Sequence, residues 1–198
     1  MDSLVLDEIV ARYGDMLSDL DTIAYTVTLP DFGVLSIRDA VRRLGADLTL
    51  LQGPDELPRS TGSISLHQVG DGIVTLDWVN PGGDRMEMTE RLAGQGFRHW
   101  YVSFDIEGNT SMYARYGQAE GFLHHPEPDL MSFTEWADHL GPLSPYTDFL
   151  ASGYDSEDAE ARVDILAACL AVVELESGVR LDRALMDDSP CSALPMPL

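Results

Sequence analysis

An α+β fold is what this sequence predicts: an antiparallel or mixed β-sheet built from hairpins, with helices mainly on one face and a C-terminal helix packed on it. Three observations predict it. Strand-like stretches follow one another through short glycine-bearing turns, so hairpins outnumber the long crossovers that parallel strands need. The stretch HWYVSFDI (99–106) alternates strictly, with Trp100, Val102, Phe104 and Ile106 on one side and His99, Tyr101, Ser103 and Asp105 on the other. The strongest helical pattern, DSEDAEARVDILAACLAVVELESG (155–178), comes only after the strands have ended.

In chain order, Ser3 can cap a first helix over 3–20, with Leu4, Ile9, Val10 and Leu17 available for its apolar face. TIAYTVTL (22–29) is short, β-branched and aromatic, and Pro30 and Gly33 close it as a strand. LSIRDAVRRLGAD (35–47) reads as a short helix with Ser36 as N-cap and Gly45 as the stop. SISLHQVGDGIVTLDWV forms two alternating runs around Gly70-Asp71-Gly72, the pattern of a β-hairpin. RMEMTERLAGQG (85–96) reads as a second short helix, and SMYARYG (111–117) and GQAEGFLHH as two further strands. From Pro126 the texture turns to proline, acid and helix former. The helix over 155–178 carries acids in its first turn and a stripe through Val163, Leu166, Leu170 and Val173, and Gly178 ends it. The expected organisation is one domain over 1–188: an N-terminal helix (3–20), a sheet region (22–125), a helical region (130–188), then a flexible tail over 189–198.

The charge balance is the strongest bulk signal. Thirty-four acids oppose twelve bases for a net −22, and every base is arginine. No arginine lies between Arg115 and Arg162, while Glu120, Glu127, Asp129, Glu135, Asp138, Asp148, Asp155, Glu157, Asp158 and Glu160 accumulate there. Such a surface repels nucleic acid and anionic membranes, whose binding needs cations. It would steer a basic protein partner instead, although an acidic surface also serves solubility alone. The two cysteines have no pairing or zinc spacing, and Cys169 sits on the apolar side of the late helix as an inert core thiol. MDSLVLDEIV lacks the basic start and apolar core of a signal peptide, and no apolar run is long enough to span a membrane, which together read as cytoplasmic.

AYTVTLPDFGVLSIRDAVRRLGAD resembles the opening of a family of uncharacterised bacterial proteins, with a tyrosine-bearing strand, a helix and an R-L-G-A-D end. VGDGIVTLDWVNPGG resembles that family's central hairpin, and GVRLDRALMD its closing segment. The likeness spans about residues 20–188 and rests on turns and caps. It implies an intact fold and brings no activity, cofactor or catalytic residue. Ile73-Val74 stands where the family tends to place a tryptophan, and Asp77 where it tends to place a glutamate.

Two constellations invite chemistry. His124-His125-Pro-Glu127-Pro-Asp129 offers metal-ligand types, but neighbouring residues of a strand face opposite ways and the prolines fix φ against folding back. It reads as a strand end followed by an acidic loop, with no metal site and no cofactor implied. The second is a polar sheet face. His67, Asp77, His99, Tyr101, Asp105 and Arg115, with Ser103 and Tyr113, all have parity opposite to an apolar neighbour, and acid/base catalysis would draw on these types. A half-exposed antiparallel sheet looks the same. No Gly-x-Ser-x-Gly elbow and no His-Glu-x-x-His occurs, and a chain without lysine has no P-loop. The expected function is a non-enzymatic acidic interaction domain, of antagonist or immunity type, that meets a basic partner through Glu120, Glu127, Asp129, Glu157, Asp158 and Glu160. The alternatives are a small-ligand binder or hydrolase-like enzyme on the polar face, and an accessory subunit whose partner buries Trp78, Trp100 or Trp136. Oligomeric state is open.

Overall fold

The computed structural model describes residues 3–17, 21–53, 63–78, 83–125, 139–152, 164–188 and 192–195. Their fold is α+β, built on a single seven-stranded antiparallel sheet. The first strand, β1 (Ile23–Pro30), is the central one, flanked by β3 (Gly72–Asp77) and β4 (Phe97–Phe104). Outward from β4 follow β5 (Thr110–Tyr116) and β6 (Ala119–His125); outward from β3 follow β2 (Ser63–Val69) and β7 (Ser192–Pro195). Local hairpins account for β2–β3, β4–β5 and β5–β6. The central position of β1 explains why IAYTVT is apolar or β-branched throughout: both of its faces are covered, and six residues in succession are buried.

The two faces carry different layers. On one lie α1 (Ser3–Leu17) and α5 (Ile165–Ser177), over Tyr25, Val27, Val74, Leu76, Trp100, Val102, Met112 and Leu123. Leu6, Ile9, Tyr13 and Met16 of α1 recur at helical spacing and form its buried stripe. Helix α5 is the middle layer, packed on the sheet below and against α1, with a short α4 (Thr147–Ala151) also at its side. Every residue from Leu166 to Val173 is therefore buried, and the helix is apolar all round rather than striped. Cys169 lies inside it, its thiol pushed to a higher pKa by burial. The opposite face carries α2 (Ile37–Arg43) and α3 (Gly83–Glu90), where Ala40, Val41, Leu44, Met88 and Leu92 cover Ile64, Leu66 and Ile73. The Ser36 hydroxyl accepts from the Asp39 N–H at the start of α2, the cap the sequence predicts.

Two elements differ from expectation. Helix α5 starts at Ile165 and not at Asp155: Asp164 has an extended ψ of 118°, and its carboxylate accepts from the Ala167 N–H as an N-cap. Residues 153–163 lie outside the described residues, as does the 130–138 part of the expected helical region. The expected flexible tail contains a strand. Residues 192–195 pair with β2, and Ala193 also bridges Gln52, because burying Ala193 and Leu194 completes the apolar layer at that edge. No helix among the described residues is long and apolar enough to cross a membrane.

Candidate functional site

The sheet register decides which of the predicted polar residues meet. On the face beneath α3, His99 pairs across to Thr28 and Arg115, Tyr101 to Thr26 and Tyr113, and Ala24 separates Ser103 from Asp77. Asp77, His99, Tyr101 and Arg115 thus share one face. His67 does not join them. Its partner in register is Val74, which faces α1 and α5, so His67 stands on the other side of the sheet, with its Nε2 3.1 Å from the Ser65 hydroxyl. The parity rule failed because the sheet is covered on both sides: in β2 the apolar residues Ile64 and Leu66 face α2, whereas in β4 Trp100 and Val102 face α5. Asp105 does not join them either. It lies beyond the end of β4 and closes the turn to β5, accepting from the N–H groups of Glu107 (2.9 Å) and Asn109 (3.0 Å).

What remains under α3 is a closed polar layer and not an open face. Asp77 and Arg85 form an ion pair at 2.7 Å with side chains only 3% and 8% exposed. At this depth removal of one partner would cost about 3–5 kcal/mol, because the other charge is left unpaired in a dry site. Arg115 meets Glu90 at 2.5 Å, so α3 is tied to the sheet by an ion pair at each end. Between them, the hydroxyls of Thr26 and Thr75 share a 2.6 Å hydrogen bond. His99 is fully buried, with Nδ1 2.8 Å from the Thr28 hydroxyl and its ring edge-on to Tyr113. Burial, reinforced by the Arg115 charge, lowers its pKa to about 3, so the ring is neutral at physiological pH. A general base works best with a pKa near the operating pH, and His99 is far from that. Burial likewise pushes the Tyr101 phenol up to about 12.

The predicted acidic site is described only in part. Glu120, on β6, is exposed and lies opposite Arg115 in register, with the Tyr113 hydroxyl 3.3 Å from its carboxylate. Glu127, Asp129, Glu157, Asp158 and Glu160 lie outside the described residues, as does Trp136. His124 and His125 end β6, as the sequence predicts; His124 holds the Ser111 hydroxyl at 2.8 Å and stacks with Phe122. Trp100 is fully buried, its indole N–H donating to Tyr116, so no partner can cover it. Trp78 is half-buried.

Three features were not singled out from the sequence. The first is the engagement of the arginines. Arg12 pairs with Glu174, Arg42 with Asp39, Arg85 with Asp77 and Arg115 with Glu90. Arg43 donates to the Ala93 carbonyl and lies 4.1 Å over the Phe97 ring, Arg91 donates to the Leu44 carbonyl, and Arg98 to the Glu176 carbonyl. The second is a tyrosine cage around α5: Tyr116 and Tyr146 both donate to the Glu176 carboxylate, and Tyr13 donates to Glu174 at 2.9 Å. Burial first, and these carboxylates second, raise all three phenols above their ordinary pKa. The third is a cleft of about 400 Å³ between α1 and the turn that leads into α4, lined by Leu6, Asp7, Tyr146, Asp148 and Phe149 among others. Only the alternation of acid and aromatic in PYTDF could have signalled it. Compared with protein-family models, curated proteins and solved structures, the chain matches none, and the functional reading rests on geometry and charge.

Proposed function

We propose that the chain is an acidic protein-interaction domain that binds a basic partner protein, in the manner of an antagonist that presents a phosphate-like surface of carboxylates. The observation that carries this reading is how the arginines are used. Among the described residues, seven arginines are tied to carboxylates, carbonyls or rings of the fold, while the stretch between Arg115 and Arg162 carries ten acids and no arginine. With these arginines engaged by the fold, an excess of negative charge is left to act at long range. Such a field raises the rate of encounter with a cation, by about 10-fold or more at low ionic strength. The enzymatic alternative asked for His67, His99 and Asp105 in one concave pocket; they occupy two faces and a turn.

The test is capture of a partner from the native lysate at low and at high salt, followed by association kinetics with the captured protein. A cationic protein held at low salt and released at high salt is the expected result. Charge reversal by E157K/D158K/E160K should slow association about tenfold with a smaller effect on dissociation. An association rate unchanged by the triple substitution would refute the electrostatic reading.

A further inference from the structure

We propose that the cleft between α1 and α4 is a receptor for a single arginine side chain of the basic partner. The inference rests on the acidic-domain reading and gives it an anchoring point. The cleft's volume of about 400 Å³ lies in the range of small-ligand sites. Its two charged walls come from separate elements, Asp7 from α1 and Asp148 from α4, and both carboxylates are exposed. Among the described residues neither has a basic side chain within ion-pair distance: Arg12, also on α1, is held by Glu174. An anionic ligand is disfavoured by the same two charges.

The remaining walls choose among cations. Exposed Pro145 and half-buried Phe149 provide the accessible apolar and aromatic surface, while Leu6 and Tyr146, each 2% exposed, close the floor. Tyr146 keeps its hydroxyl on Glu176, so its position is set from behind by a hydrogen bond that the ligand need not disturb. A guanidinium is planar, weakly hydrated and forked: it lies against aromatic surface and meets carboxylates through several N–H groups at once. A lysine ammonium is more strongly hydrated and gains less from these walls. The location agrees with the charge distribution. The segment 139–152 lies within the arginine-free stretch, with Asp138 and Asp155 on either side of it in sequence. A partner drawn in by the general field would reach this cleft within the most acidic part of the chain.

The experiment is a titration of the full chain, followed by backbone amide NMR, with butylguanidinium chloride and, at matched ionic strength, with butylammonium chloride and with neutral butylurea. Expected are saturable shifts at Asp7, Phe149 and Ser152 with butylguanidinium, at least tenfold weaker apparent affinity for butylammonium, and none of these shifts with butylurea. The exposed, isosteric D7N/D148N variant should retain the parent's spectral dispersion and lose the site. Butylurea shifts equal to those of butylguanidinium, or an unchanged titration in D7N/D148N, would overturn the proposal. The two readings fail separately. If D7N/D148N binds the captured basic protein as the parent does, the cleft is not the anchor and the acidic-domain reading stands. If the cleft saturates with butylguanidinium while E157K/D158K/E160K associates at the parent's rate, the guanidinium site stands and long-range steering falls.

Discussion

His99 carries the largest single consequence at the residue scale. Its folded pKa of about 3 lies below the ordinary 6.5, so between these values the unfolded chain binds a proton that the native state refuses. Stability contributed by the neutral ring is complete above pH 6.5 and is lost as pH falls toward 3, at up to about 1.4 kcal/mol per pH unit. The native advantage of the parent over an H99Q variant should therefore shrink between pH 6 and pH 4 in urea unfolding; parallel profiles would show that the proton is accommodated. The same neighbourhood shows the limit of reading side-chain parity. Alternation correctly separated His99 from Trp100 and His67 from Leu66, since that follows from strand geometry alone. It could not say that the apolar side of β2 and the apolar side of β4 face opposite ways, because both layers look equally greasy in a sequence. Asp105 was misplaced for a different reason: alternation was carried one residue past the strand, into a turn that its carboxylate organises.

At the scale of elements, β6 and the 3-10 turn Gly141–Tyr146 meet backbone to backbone. A Cβ on Gly121 would lie 1.8 Å from the Leu140 carbonyl oxygen, and one on Gly141 would lie 2.0 Å from that of Glu120. Backbone meets backbone here, so no side chain can rotate away. Gly121→Ala should destabilise by about 3 kcal/mol, the upper end of ordinary overpacking, read as a lower urea midpoint with unchanged m-value. A substitution costing less than about 1 kcal/mol would mean that the turn rides freely on the strand. Glycine at 121 read as part of a strand, since contacts across long stretches of chain leave no local pattern. Hairpins, the Ser36 cap and the Gly178 stop were legible because each is closed by neighbours in sequence. The start of α5 was not, because the break at Asp164 is set by its backbone conformation and by its carboxylate capping the Ala167 N–H, which residue type alone does not announce.

Over the whole molecule, a net charge of −22 on 198 residues opposes compaction. Sodium chloride screens exposed charges beyond about 8 Å at 0.15 M, whereas the buried Asp77–Arg85 pair is little affected. Raising NaCl from 10 mM to 0.5 M should thus raise Tm, by about 2–4 °C for each ~1 kcal/mol of repulsion relieved. A fall in Tm would show that partly exposed pairs such as Arg115–Glu90 outweigh the repulsion. Class, charge and most strands were visible in the sequence, while the order of strands was not, and that order has a further consequence. Strand β2 is sealed on its outer side by residues 192–195, which are more than a hundred positions downstream. During synthesis on the ribosome the β2–β3 hairpin emerges long before its cover, with the N–H and C=O groups of one edge bare. A nascent chain of this protein therefore passes through a sticky stage that lasts until residues 192–195 are made, and chains halted before residue 192 are the ones that should recruit chaperones or pair edge to edge with each other.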